Sequence, residues 1–348
     1  MGFFNSILSL ALKKGKISKN DYSFKVEEYT GINGNQVPMR IYYSKKKTKK
    51  TAIIFLGASP DGEKHKAINY LAKIITKFNY NVFIPRIPPL MQLNISNENV
   101  DWITYLYELI GSRKDVDSKN VATVGISYGG GMLLKASLSK KLIDSPPKSI
   151  FLYGAGCNAE TILKFITKGE FDNNGKLVKV IPHDWGLTVF FHHFINDIDF
   201  GFDRKNIKEV IQLRINNDKE KAHERLKELD SDECKIAKSI ITGKIIPEVQ
   251  VMVDKLIGIK LDYIEELSCK PICHQVKPKV FIFHGANDNM IPFTESIQLN
   301  QLIPNSNLFI SYIFEHKGIS TKRSIFFKLK EVFKMIRFFS QFDKYNAS

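Results

Sequence analysis

A serine between two glycines carries the strongest chemical signal in the sequence. The motif GISYG (125–129) directly follows a short apolar run at 121–124 and precedes a helical pattern at 129–140. A serine on a tight strand-to-helix turn has a strained backbone and an exposed hydroxyl, and the flanking glycines remove side chains that would collide across the turn. The amides that begin the helix favour developing negative charge. This context predicts that Ser127 is a nucleophile, and the alternative is a plain glycine-rich turn.

A serine hydroxyl is a weak nucleophile and needs a base beside it. Among the eight histidines, His316 stands directly after a predicted strand near the C-terminus, in the segment FEHKG (314–318). A loop there could bring the imidazole over the edge of a sheet. We therefore predict His316 as the general base, against the alternative of an incidental surface histidine.

The acid that orients the histidine is expected between serine and histidine in chain order. The segment FHGANDNMIP (283–292) ends a predicted strand and opens a loop that contains Asp288. A carboxylate there could accept the imidazole N–H and fix its tautomer. The same surroundings would suit an Asx turn. Glu160, just past the sixth predicted strand, is the reserve candidate for the acid.

Acyl transfer also requires donors for a tetrahedral oxyanion. We expect two backbone amides to form this oxyanion hole. One is that of Tyr128, next to the nucleophile, and the other is that of Ala58, in the loop GASP (57–60) after the strand at 51–56.

The elements that position these residues follow an alternating pattern. Two strands at 22–30 and 36–43 are followed by short apolar strands at 51–56, 81–85, 121–124 and 149–153, with amphipathic helices between them. This order predicts an α/β fold with a mostly parallel central sheet and helices on both faces. The pattern stops at 157–268, where helical stretches dominate, and resumes at 279. We therefore expect an N-terminal amphipathic segment (1–20), a core domain (21–156 and 269–348) and a helical cap (157–268).

The arrangement resembles the α/β-hydrolase superfamily over roughly residues 50–156 and 270–345. The matching segments are GISYGG, HGANDNMIP, FEHKG and IFLGASPDG. The resemblance implies a Ser–Asp–His triad, ester-type chemistry and no cofactor, with the insertion similar to the helical caps of that superfamily. One departure is Leu56, where many members carry a histidine before the oxyanion-loop glycine.

Together these features predict a serine hydrolase that cleaves carboxylic esters of a small-molecule acyl substrate through an acyl-enzyme. A thioesterase, an acyltransferase or a peptidase would use the same triad. A catalytically silent, hydrolase-like binding protein is the alternative from another class. The fold serves all of these activities and does not identify the substrate.

Other polar clusters are assigned structural roles. In the expected cap, His192-His193 and His183-Asp184 suggest packing contacts, because adjacent helical residues point about 100° apart. The pair Cys269 and Cys273 lacks further ligands nearby in the sequence, so we expect reduced thiols and no metal site.

The charge and the N-terminus concern partners and location. The net charge is +15, but the lysines are scattered and no nucleic-acid-binding motif accompanies them, so we expect no nucleic-acid partner. Residues 3–16 combine an apolar helical face with basic residues, as an interfacial anchor does. We expect a cytoplasmic protein, with docking of this segment on the protein's own core and contact with the inner face of a membrane as the two alternatives.

Overall fold

The computed structural model describes the backbone of residues 21–197, 203–315, 318–319 and 325–348. It describes their side chains except at 313–315, 318–319 and 325. The predicted base His316 and the N-terminal segment 1–20 lie outside the described residues.

The described chain is organised around one mixed, mostly parallel sheet. Its strand order is β1-β2-β4-β3-β5-β6-β9-β10-β11. The strands of this sheet are β1 (Tyr22–Thr30), β2 (Gln36–Ser44), β3 (Thr51–Phe55), β4 (Asn81–Pro85), β5 (Val121–Ile126), β6 (Ser149–Tyr153), β9 (Lys279–Asn287), β10 (Ser306–Glu315) and β11 (Gly318–Ile319). The pairs β1–β2, β2–β4 and β10–β11 are antiparallel, and the pairs from β4 through β10 are parallel. The predicted α/β fold is confirmed, and the two early strands form an antiparallel hairpin.

Helices cover both faces of the sheet. The helices of the core are α1 (Lys66–Thr76), α2 (Pro88–Met91), α3 (Glu98–Gly111), α4 (Tyr128–Ala136), α5 (Lys140–Asp144), α13 (Thr294–Leu302) and α14 (Ile325–Ala347). One apolar layer contains Trp102 of α3 and Leu133 of α4, and the other contains Ala72 of α1 and Phe338 of α14. All five residues of β3 are buried because the sheet is covered on both sides.

The segment that contains the expected cap (157–268), called the insertion below, lies between β6 and β9, the sixth and seventh strands of the sheet in chain order. Its helices are α6 (Ala159–Lys168), α7 (Asp184–Phe194), α8 (Arg204–Ile215), α9 (Lys219–Glu228), α10 (Ser231–Thr242), α11 (Pro247–Ile259) and α12 (Leu261–Leu267). They enclose a separate apolar cluster that includes Phe165, Leu187, Phe191 and Val210. The insertion also contains a two-stranded hairpin, β7 (Glu170–Asn173) and β8 (Lys176–Lys179), which the helical pattern did not predict. In the described ranges, no helix is both long enough and apolar enough to cross a membrane.

Candidate active site

Ser127 occupies the turn between β5 and α4. Its backbone has φ 54° and ψ −131°, a conformation that costs a non-glycine residue free energy. The turn is held because the Ser127 amide donates to the Tyr153 carbonyl at 2.9 Å, and the Ser127 carbonyl accepts from the Gly130 amide at 2.9 Å. Ser127 is partly exposed and lines a cavity. A strained serine at this point fits the predicted nucleophile turn.

The glycines on either side of Ser127 are required by close backbone approach. A Cβ on Gly129 would lie 2.3 Å from the carbonyl oxygen of Leu56, and a Cβ on Gly125 would lie 2.6 Å from Cα of Gly130. Real Cβ atoms do not approach backbone atoms so closely. The tight turn therefore depends on both glycines, as the sequence pattern indicated.

The loop after β3 lies beside this turn. A Cβ on Gly57 would lie 3.1 Å from the Ile126 carbonyl oxygen and 3.2 Å from the Tyr128 amide nitrogen. Ala58, the next residue, lines the same cavity as Ser127. Tyr128 is the first residue of α4, where a backbone amide has no acceptor within its own helix. The structure thus brings both predicted oxyanion donors to the wall around Ser127.

Asp288 directly follows β9 and is 8% exposed. Its Oδ1 accepts hydrogen bonds from the amides of Met290 at 2.7 Å and Ile291 at 3.1 Å. Both of these residues line the cavity of Ser127. The Asx-turn geometry considered from the sequence is therefore present and fixes Oδ1, while Oδ2 lies 3.6 Å from Nε2 of His284.

The second oxygen of Asp288 faces the end of β6. Oδ2 lies 3.4 Å from the position that a Cβ on Gly154 would take, and Gly154 has φ +56°. Burial, and secondarily the negative charge of Asp288, raises the pKa of Tyr153 to about 12. Asp288 thus stands at the same carboxyl edge as Ser127, with β6 between their two strands.

The turn after β9 is held in place by the side chain of His284, a residue of β9. This residue is fully buried, with Nδ1 at 2.6 Å from Ser296 Oγ and Nε2 at 3.0 Å from the Ile291 carbonyl oxygen. A carbonyl can only accept, so Nε2 donates. With both ring nitrogens engaged, His284 holds the loop of Asp288 in place, and it is not among the described residues that line the cavity of Ser127.

The reserve acid Glu160 lies elsewhere. It is in the first turn of α6 and pairs with the exposed Lys164 at 2.7 Å, and the hydrogen bond from this lysine lowers the pKa of the carboxyl group. Glu160 is absent from the lining of the Ser127 cavity among the described residues.

The polar clusters of the insertion make structural contacts. His183 accepts the Trp185 amide at 3.0 Å and caps α7, while Asp184 pairs with Arg214 at 2.8 Å. His192 contacts the Gln92 carbonyl at 3.2 Å, and His193 contacts the Tyr263 hydroxyl at 3.3 Å. The two adjacent histidines thus point to different partners.

The cavity at Ser127 has a volume of about 190 Å³ and lies between the core and the insertion. Its core wall carries Ser127, Ala58, Tyr128 and the turn after Asp288. Its other wall is apolar and comes from the insertion: Ile162, Leu163, Ile166, Trp185, Val189, Phe190, Phe194 and Ile264. The sequence indicated aromatic density in this region but not which of these side chains face the serine.

A second cavity of about 350 Å³ lies on the other face of the sheet, between α1 and α14. It is larger, but among the described residues no serine, cysteine or histidine lines it. The cavity at Ser127 is therefore the candidate active site because it combines an apolar pocket with a strained, partly exposed serine.

Comparison with solved structures agrees with this architecture. Acylaminoacyl peptidase from Pyrococcus horikoshii superposes with a TM-score of 0.51 and 13% identity, over 97% of this chain and 43% of the peptidase. A 2,6-dihydroxy-pseudo-oxynicotine hydrolase superposes with a TM-score of 0.49 and 11% identity, over 94% of this chain and 71% of that chain. The chain spans less than half the length of the peptidase. The predicted α/β-hydrolase fold is confirmed by the peptidase. No family model and no curated protein sequence matches this chain significantly.

Proposed function

We propose that the protein is a serine hydrolase that cleaves carboxylic esters, with Ser127 as nucleophile, His316 as general base and Asp288 as the orienting acid. The observation that carries the proposal is the strained Ser127 at the floor of an apolar cavity, beside the loop of Gly57 and Ala58. A strained nucleophile turn with adjacent backbone donors is an arrangement suited to acyl transfer.

The choice of His316 is supported by elimination. The other histidines of the eight in the chain are all described, and none of them lines the cavity of Ser127. His284, the one nearest the acid in sequence, has both ring nitrogens engaged. A general base has to come within hydrogen-bond reach of the serine hydroxyl, so His316 is the remaining candidate.

The pairing of β9 and β10 supports the partnership of Asp288 and His316. In this parallel pair, Glu315 is the register partner of Asn287. In sequence, Asp288 comes directly after Asn287 and His316 directly after Glu315, and neighbouring strands lie about 4.8 Å apart. The segments that carry the acid and the base therefore begin at adjacent points on the same edge of the sheet.

In the proposed reaction, His316 takes the proton from Ser127 Oγ as this oxygen attacks the ester carbonyl carbon. The amides of Ala58 and Tyr128 stabilise the negative oxygen of the tetrahedral intermediate. Collapse breaks the bond to the alcohol oxygen, which leaves with the proton from His316. Water then loses a proton to His316 and attacks the carbonyl carbon of the acyl-enzyme. The bond to Ser127 Oγ breaks, the free acid departs, and Ser127 regains its proton from His316. Asp288 keeps the imidazole in the correct tautomer throughout.

The cavity favours a small acyl group over a peptide chain. An apolar cavity of about 150 Å³ in another protein holds one benzene molecule, and the cavity at Ser127 measures about 190 Å³. Its insertion wall offers aromatic and aliphatic surface, which suits an acyl chain of short to medium length. We therefore do not propose peptidase activity for this protein, although a structural neighbour is a peptidase. Thioester hydrolysis or acyl transfer would differ from ester hydrolysis only in the leaving group or the acceptor.

Covalent labelling with a fluorophosphonate probe tests the proposal. We expect one stoichiometric adduct on Ser127, located by mass spectrometry of the digested protein. The adduct should be absent in Ser127→Ala and present in Ser137→Ala, a matched change at the other end of α4. Wild-type protein that resists the probe and hydrolyses no p-nitrophenyl ester would instead support the silent binding protein.

A further inference from the structure

Three cysteines that are distant in sequence meet in the wall between the core and the insertion. Cys157 follows β6, whereas Cys269 and Cys273 lie on the turn between α12 and β9. The three Sγ atoms all lie within 4.8 Å of one another, and those of Cys269 and Cys273 are 4.0 Å apart. All three residues are at most 1% exposed. The remaining cysteine, Cys234, lies in α10 and is outside this group.

Backbone hydrogen bonds hold this thiol cluster in place. The carbonyl oxygen of Cys157 accepts from the amides of Cys269 at 3.1 Å and Lys270 at 3.0 Å. The Cys157 amide in turn donates to the buried carboxylate of Glu295 at 2.9 Å. Main-chain hydrogen bonds therefore join the two segments and fix the backbone positions from which the three thiols project.

The number and type of donors point to a particular class of ion. Thiolate sulfur selects soft metals, above all Cu(I), zinc and iron–sulfur clusters. Structural zinc is almost always tetrahedral and four-coordinate, and common iron–sulfur clusters take four cysteines. Among the described residues, no fourth histidine, cysteine or carboxylate joins the group. The nearby Glu295 carboxylate is already engaged by the amides of Cys157 and Asn158 and by the Thr161 hydroxyl.

We propose that Cys157, Cys269 and Cys273 form a three-coordinate site for a soft monovalent metal ion of the Cu(I) type. With metal–sulfur bonds close to the zinc–thiolate length of about 2.3 Å, the three sulfurs of a planar site lie about 4.0 Å apart. That spacing equals the separation between Cys269 and Cys273, and the third sulfur needs only a small adjustment. Each thiol that ligates the ion loses its proton to solvent, so binding releases protons and is weaker in acid.

The cavity at Ser127 provides the entry path. Cys157 and Cys269 both lie in its wall but are at most 1% exposed, so an ion that enters the cavity reaches the cluster only after a local movement of that wall. Cys269 Sγ also lies 3.9 Å from where a Cβ on Gly131 would stand, one turn along α4 from Ser127. The site is thus in the wall of the candidate active site, but none of its ligands belongs to the proposed triad.

Competition for Cu(I) under anaerobic conditions tests the proposal on the full chain. Reduced protein is titrated into the coloured Cu(I) complex of bicinchoninate, and the loss of colour measures transfer. We expect the wild type to withdraw one equivalent of Cu(I) per chain. Cys157→Ala, Cys269→Ala and Cys273→Ala should each weaken the competition at least about tenfold, which is the low end of the loss that even an outer-shell change causes.

Cys234→Ala is the matched control and should bind as the wild type does. Ser127→Ala should also bind normally while losing esterase activity, so failure of the metal site and failure of the proposed function can be told apart. Because a buried cysteine variant could misfold, circular dichroism and the conservative Cys→Ser changes accompany each titration. The proposal is overturned if wild-type protein withdraws no Cu(I), or if folded variants lacking a cluster cysteine bind unchanged. It is equally overturned if thiol counting after the titration shows that two cluster thiols have formed a disulfide in place of binding.

Discussion

The two walls of the Ser127 cavity are built on different principles. The core wall is made of main-chain turns in fixed, partly strained conformations, at Ser127, Gly57 and the turn after Asp288. The insertion wall consists of apolar side chains on α6 and α7, including Ile166 and Phe190. Backbone geometry fixes where charge can develop and be stabilised, whereas side chains fix the shape of the space that remains. We infer that the core wall determines the reaction and the insertion wall the choice of acyl group.

The largest effect should follow from removing the nucleophile of the core wall. Ser127→Ala is expected to lower kcat for a p-nitrophenyl ester by on the order of a million-fold, as loss of the serine does in a protease triad. Ser137→Ala removes a buried hydroxyl that donates to the Leu134 carbonyl in the same helix, so it controls for stability and should keep activity. Wild-type activity in Ser127→Ala would show that the core wall does not carry the reaction.

A smaller loss should follow from changing the acid. Asp288→Asn is expected to lower kcat by roughly ten thousand-fold, because the histidine remains but its tautomer is no longer fixed. Glu160→Gln alters an exposed carboxylate paired with Lys164 and should leave kcat unchanged. Steady-state kinetics on both variants decide between the two acids, and the reverse order of effects would assign the role to Glu160.

The insertion wall should control selectivity instead of rate. Phe190 lines the cavity, whereas its neighbour Phe191 is fully buried within the insertion. Phe190→Ala should shift kcat/KM toward longer acyl chains by roughly 10- to 200-fold, since one methylene in an apolar pocket is worth about 1–3 kcal/mol. Phe191→Ala should cost about 3–5 kcal/mol of stability and leave the preference unchanged. If both variants keep the wild-type ranking of p-nitrophenyl esters, the insertion does not select the acyl group.

The core wall could be predicted from sequence because its features are local. The motif around Ser127 required glycines whose absence of a side chain is visible in the sequence, and the structure shows the close backbone contacts that demand them. The position of Asp288 followed from chain order and the end of a strand. The order of helices and strands in the core followed from the same short apolar runs, although the helix after Ser127, expected at 129–140, ends at Ala136.

The insertion was predicted less completely. Its hairpin β7–β8 turns at Asn174 and Gly175, with φ values of 56° and 80°, and this Asn-Gly pair is a strong hairpin signal that the surrounding helical pattern concealed. The thiol cluster had no local signal, because Cys157 and Cys269 are 112 residues apart and meet only once the sheet forms. For the same reason the sequence offered no further ligand to Cys269 and Cys273, and reduced thiols without a metal site were the expectation from sequence.

The smallest expected effect concerns how readily each wall accommodates an added methyl group. An alanine at Gly129 would bring its Cβ to 2.3 Å from the backbone oxygen of Leu56, which cannot move without distorting β3 and the nucleophile turn. An alanine at Gly186, in the first turn of α7, would meet only the side chain of Ile166, at 2.9 Å from Cγ2. Chemical denaturation should therefore show a loss of about 1–3 kcal/mol for Gly129→Ala, the usual cost of overpacking. For Gly186→Ala we expect a change below about 1 kcal/mol, because the gain in helix propensity offsets the displacement of Ile166. Equal destabilisation of both variants would mean that the insertion wall is as rigid as the core wall. The inference that one wall determines the reaction and the other selects the acyl group would then lose its physical basis.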